Sequence, residues 1–216
     1  MTAAKLRVTP SFYLFWAVFS LLDSEGVLPV FAGAALLHEL GHVCAICACG
    51  GQVASVELSA CGVVIEQRRP LGYLADCAVA LAGPAAGMAA ALAFAAAHCP
   101  TAAGANLLLS AFNCLPLLPL DGGCALAALL ALLPPRAAEP AVRALACVSL
   151  GGACALSLGG AALLLHTGRN ATVLAAGLFL LGANRSWLHE LTDYGMIVTG
   201  KNHAVHPSEK KRWKQG

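Results

Sequence analysis

Charge is scarce in this chain. Asp, Glu, Lys and Arg make up 11% of its 216 residues, where a soluble domain carries about 25%. So few ionic groups beside 59% hydrophobic residues cannot build a water-facing surface, so lipid must be the solvent for much of the fold. An excess of one sign is also missing. A formal net charge of +2 offers no basic field to a phosphate backbone, which gives no reason to expect a nucleic-acid partner. No second Cys pair accompanies Cys44 and Cys47, so the C-x-x-C cannot close a four-thiolate zinc cage. Most of the ten cysteines lie in apolar runs and read as small packing hydrophobes. No small-x-small cleavage site ends the first apolar stretch, which runs into Leu21-Leu22-Asp23-Ser24. It reads as a retained span and not as a signal peptide.

What is present is a series of apolar runs separated by turn signals. They predict an all-α polytopic membrane protein of about six transmembrane helices, at 8–22, 27–49, 71–97, 103–133, 144–165 and 171–188. Between the second and third, residues 52–67 alternate polar and apolar and then turn β-branched at Val63-Val64-Ile65. That pattern predicts a short β-hairpin. No Asp, Glu, Lys or Arg lies between Asp76 and Asp121, a stretch of 44 residues. It holds two spans with a turn near His98-Cys99-Pro100. The second of these, the fourth helix, is broken: Asn113-Cys114-Leu115-Pro116-Leu117-Leu118-Pro119-Leu120-Asp121-Gly122-Gly123 carries two prolines and a Gly pair. Helix is expected to resume near Cys124 and stop at Pro134-Pro135.

Residues 1–190 form one integral membrane domain in this reading, followed by a basic tail at 191–216 and no separate regulatory domain. Six spans with both termini in the cytoplasm put twelve of the thirteen Lys and Arg residues on that side, leaving only Arg169 outside. That agrees with the positive-inside rule. A five-span arrangement would expose the tail and is disfavoured. The Lys210-Lys211-Arg212-Trp213-Lys214 cluster suits an anionic lipid surface or a simple topology anchor.

Residues 38–42 read His-Glu-Leu-Gly-His. Histidines at i and i+4 share one helix face and can converge on a tetrahedral metal ion. Glu39 sits beside the first ligand, in reach of a water that the metal polarises. His38 falls about 11 residues into the second span, roughly 17 Å along its axis. That is near the middle of a hydrocarbon core of about 30 Å, where ionisable groups are costly and functional by default. Two histidines leave a catalytic zinc one protein ligand short. Asp121 is the best candidate, as an acid in apolar surroundings beside irregular backbone. Such backbone is tolerated at membrane depth only inside protein or along a water-filled cavity.

His38-Glu39-Leu40-Gly41-His42, together with Asn113-x-x-Pro116-x-x-x-x-Asp121-Gly122, resembles the site-2 protease family of intramembrane metalloproteases. Lys5-Leu6-Arg7-Val8-Thr9-Pro10-Ser11-Phe12 is similar to the start of its stage IV sporulation protein FB type. The resemblance covers roughly residues 5–133. It implies Zn2+ held by His38, His42 and Asp121, with Glu39 as general base. It also implies a substrate held near the scissile bond by Asn113, with Pro116 and Gly122 of the same motif assigned to substrate binding. The hairpin would offer a strand edge to an extended substrate. The implied partners are a single-span or membrane-associated protein substrate, the bilayer and a membrane regulatory protein. The implied process is regulated intramembrane proteolysis in a bacterial cytoplasmic membrane, with a sporulation pro-sigma factor as one substrate. Two departures bear on substrate positioning: Gly83-Pro84 is followed by Gly87 where many relatives carry Asn, and Ala60-Cys61-Gly62 stands where a Pro-Phe-Gly element is frequent.

Two rival readings stay open on sequence. A prenyl-protein type of membrane metalloprotease would take Glu190, in His189-Glu190-Leu191-Thr192-Asp193, as third ligand. A catalytically silent scaffold would keep the metal and not the reaction, but it has no use for a carboxylate at the depth of Glu39.

Overall fold

The computed structural model describes residues 5–23, 26–59, 62–168 and 171–184. The chain divides into two compact units, 1–134 and 135–216. The first holds β1 (Lys5–Val8), α1 (Pro10–Leu22), α2 (Leu28–Ala48), β2 (Val53–Ser59), β3 (Gly62–Gln67), α3 (Tyr73–Ala96), α4 (Pro100–Asn113) and α5 (Asp121–Leu130). The second holds α6 (Pro135–Thr167) and α7 (Thr172–Asn184).

Among the described residues, three helices, α2, α3 and α6, are long and apolar enough to cross a membrane. α1 and α4 have 13 and 14 residues and α5 has 10, against about 20 needed for the hydrocarbon core. The expected 103–133 span is two helices, α4 and α5, with non-helical backbone at 114–120. Two prolines and a cis Leu118–Pro119 bond lie in that break, which is the broken fourth helix read from the sequence. α5 begins at Asp121 and not near Cys124, because Leu120 is extended at the N-cap and an acid is favoured in the first turn. α6 starts at Pro135, nine residues before the expected boundary of 144. Proline is suited to a first helical position, and an exposed Glu139–Arg143 pair at 2.6 Å spans the next turn. The described part of the sixth segment ends at Asn184, and residues 185–188 and the tail at 191–216 lie outside the described residues.

The hairpin is present as β2 and β3, antiparallel, with Val56 opposite Ile65 and a bulge near Val53–Ser55. A third strand joins it. β1 runs parallel to β2, pairing Lys5 with Ser55 and Val8 with Leu58, so the sheet order is β1-β2-β3. The sequence reading had placed Val8 in a membrane span. The residue before a proline is biased away from helix. Here Thr9, just before Pro10, instead binds the Leu58 carbonyl through both its backbone N–H at 2.9 Å and its hydroxyl at 3.0 Å.

Within the first unit, α3 packs against α2, α4 and α5. Cys77 and Ala80 of α3 and Ala125 of α5 are buried together, with Cys124 and Ala128 against them. Small side chains at this seam let helix backbones approach closely where no water drives association. In the second unit, α6 and α7 meet where Gly177 lies against Ser157.

Candidate metal centre

α2 carries His38 and His42 one turn apart on the face toward α3. The break after α4 brings the start of α5 to the same place, so Asp121 meets the pair from a distant part of the chain. His38 Nε2 is 2.9 Å from Asp121 Oδ2, His42 Nε2 is 3.4 Å from the same oxygen, and the two Nε2 atoms are 3.2 Å apart. The side chains are 6%, 12% and 20% exposed, so little water shields them.

The triangle suits a cation better than pairwise hydrogen bonds. The Val79 carbonyl of α3 lies 2.8 Å from His42 Nδ1 and can only accept. Nδ1 therefore carries the proton, and Nε2 of the neutral ring presents a lone pair. A carboxylate oxygen facing that lone pair at 3.4 Å is repelled unless a positive centre lies between them. Asp121 Oδ2 is buried, and for all its closeness to His38 it receives no hydrogen bond of suitable direction. Ligand atoms about 2.0–2.1 Å from a tetrahedral zinc stand about 3.3 Å from one another. The three observed separations bracket that value, so these residues fit a divalent metal ion without rearrangement.

Gly83 of α3 makes room for the centre. A β-carbon at this position would overlap His42 Nε2 and come within 2.8 Å of His38 Nε2. Both Gly83 and Val79 escaped the sequence reading as parts of the site. Gly83 had entered as part of Gly83-Pro84, as a mark for the position of Gly87, and nothing local marked the Val79 carbonyl as the partner of an imidazole.

A cavity of about 320 Å³ opens beside the centre. Glu39, His42 and Ile46 of α2 form one wall, and Asp76, Val79 and Ala80 of α3 another. Alternate residues of β3, Val63, Ile65 and Gln67, face it, and Asp121 lines it as well. Glu39 thus sits next to the two imidazoles and faces the open space of the cavity.

The other residues singled out in the sequence lie around the break. Asn113 ends α4, and its amide donates to the Leu109 carbonyl at 3.0 Å. Pro116 is exposed. A β-carbon on Gly122 would overlap the Cys114 carbonyl and come within 2.6 Å of the Leu115 carbonyl oxygen. Asn113, Pro116 and Gly122 are not among the residues facing the cavity. Glu190 lies outside the described residues, while the place beside the two imidazoles is taken by Asp121.

Among the described residues, fold and site define a mostly helical chain with three helices suited to cross a membrane, whose first unit contains a largely buried His-His-Asp group that can hold a metal ion. No family model matches the chain, and no curated protein matches it. Among solved structures it is similar to the site-2 protease from Methanocaldococcus jannaschii. The two are 22% identical, with a TM-score of 0.66 over 84% of this chain and 89% of that one. The chain has the site-2 protease fold.

Proposed function

We propose that this protein is a zinc-dependent intramembrane endopeptidase that hydrolyses peptide bonds in membrane-embedded or membrane-associated substrates. The observation that carries the proposal is the convergence of His38, His42 and Asp121 within 2.9–3.4 Å beside a cavity faced by Glu39. The likeness to a solved site-2 protease supports it.

A zinc ion held by the two Nε2 atoms and the Asp121 carboxylate would act as a Lewis acid on water and on the scissile carbonyl. The chain's own groups do the rest. Glu39 accepts a hydrogen bond from the attacking water, takes one of its protons and delivers it to the departing amide nitrogen. The Val79 carbonyl holds His42 in the tautomer whose Nε2 faces inward. Low exposure of the ligands strengthens every charge interaction made there. β3 faces the cavity, and no strand pairs with its outer edge among the described residues. An unwound substrate segment added there would lay its backbone beside the centre. Substrate roles for Asn113, Pro116 and Gly122 rest on the sequence resemblance, as do the sporulation protein FB branch and a pro-sigma substrate. The same holds for a bacterial cytoplasmic membrane with both termini in the cytoplasm.

The test uses full-length protein purified in detergent and a single-span reporter. Glu39→Gln should retain one equivalent of zinc and lose about 10²–10⁴-fold in kcat/KM. A wild-type protein that holds zinc and cuts no single-span reporter, or a Glu39→Gln form that cuts at the original rate, overturns the proposal.

A further inference from the structure

We propose that the cavity beside the centre holds a subsite for a basic substrate side chain, with Asp76 as its charge partner. The inference rests on the endopeptidase reading and names a specificity that the metal centre does not provide.

Position comes first. Gly83 lies against the Nε2 atoms of both imidazoles, so it marks the level of the centre along α3. Asp76 is seven residues earlier, two helical turns and about 10.5 Å along the axis on the same face, and it faces the same cavity. The carboxylate is therefore about two turns from the metal ligands, a distance that a long side chain can span from a residue one or two places along an extended substrate.

Chemistry comes second. Asp76 is half-buried; its backbone N–H donates to the Gly72 carbonyl at 2.9 Å, but its carboxylate makes no hydrogen bond or ion pair among the described residues. Beside it in the lining, the Gln67 Oε1 atom is buried and also without a hydrogen-bond partner. Both are acceptors that want donors. Ile46, Val63, Ile65 and Val79 line the same cavity as these acceptors. Apolar walls leading to two acceptors match a lysine or arginine, whose aliphatic stem packs while its charged head pairs. A metal ion would offset the charges of Glu39 and Asp121, leaving Asp76 as the unbalanced carboxylate of the cavity.

A purely structural role for Asp76 exists as well, because an acid in the first turn favours the helix dipole of α3. The experiment separates the two. Single-span reporters carry Lys, norleucine or Glu at each of three positions on either side of the mapped cut, and kcat/KM is measured with zinc-loaded full-length protein. At one position Lys should exceed norleucine by about tenfold, with the difference in KM, a modest factor because water screens a half-exposed carboxylate. Asp76→Asn should bring that ratio to about one, and Asp76→Glu should restore it. Asp76→Ser is the second variant if the Asn form does not retain zinc. A dipole role would alter stability and leave the ratio unmoved. Reporters cut without any preference for Lys, or a preference that survives in Asp76→Asn, overturn the subsite alone. No cleavage of any reporter by the wild-type protein overturns the endopeptidase reading and this specificity with it.

Discussion

At the scale of single residues, the centre depends on one ligand from far along the chain and on one side chain that is absent. Asp121→Ala removes the oxygen that faces both imidazoles. Zinc content should fall from one equivalent to near zero after dialysis, measured by atomic emission, while Glu190→Ala should leave it unchanged. Gly83→Ala keeps every ligand yet puts a methyl group onto His42 Nε2. It should weaken zinc binding by about tenfold to a hundredfold, the range seen when the support of a metal ligand is disturbed, in competition with a chromophoric chelator. His38, Glu39 and His42 were legible in the sequence because one helical turn sets their geometry. Asp121 was legible because an acid stands out after 44 residues without charge. Gly83 was not, since a missing β-carbon matters only once α3 lies against α2. Asp76 carried a signal that went unused: it is the last charged residue before that same stretch.

At the scale of elements, the break between α4 and α5 does the positioning. Leu118 is 0% exposed and Leu120 is 6% exposed, so apolar side chains anchor the loop, and the Cys124 thiol donates to the Pro119 carbonyl at 3.5 Å. Gly122 lets α5 start against the Cys114 and Leu115 carbonyls. Gly122→Ala should therefore destabilise the protein by about 1–3 kcal/mol through overpacking, read as a lower thermal midpoint in detergent. A substitution confined to substrate contact would leave that midpoint in place. The prolines and the Gly pair made the break readable from sequence. The helix starts did not follow as well, because Pro135 and Asp121 open helices at positions that apolar periodicity alone assigns to turns. β1 was missed for a different reason. Its four residues are too few to declare themselves, and Lys5 finds its partner Ser55 far along the chain.

At the scale of the whole molecule, a metal ion held by α2 and α5 would tie together the two ends of the first unit's helical packing. Binding to the folded form alone stabilises by mass action, about 2.7 kcal/mol at a free concentration 100 times Kd. Chelation should lower the thermal midpoint of the wild-type protein and of Glu39→Gln alike. It should not shift Asp121→Ala. Differential scanning fluorimetry with and without a chelator checks the pattern, and an equal shift in all three would show that the chelator acts elsewhere. The membrane setting was legible from the shortage of charge, and the lengths of the individual helices were not. Hydropathy adds up apolar residues whether or not a helix continues through them, and α1, α4 and α5 stop short.

The parallel pairing of β1 with β2 has a consequence for biogenesis. The strand at 5–8 leaves the ribosome early, yet its hydrogen-bonding partner at 55–58 follows only after α1 and α2 have been made. At about 5–20 residues per second, the leading strand waits on the order of seconds with its backbone unmatched. The sheet therefore closes after two apolar helices have already emerged, and the hydrogen bonds from Thr9 then fasten the start of α1 to β2.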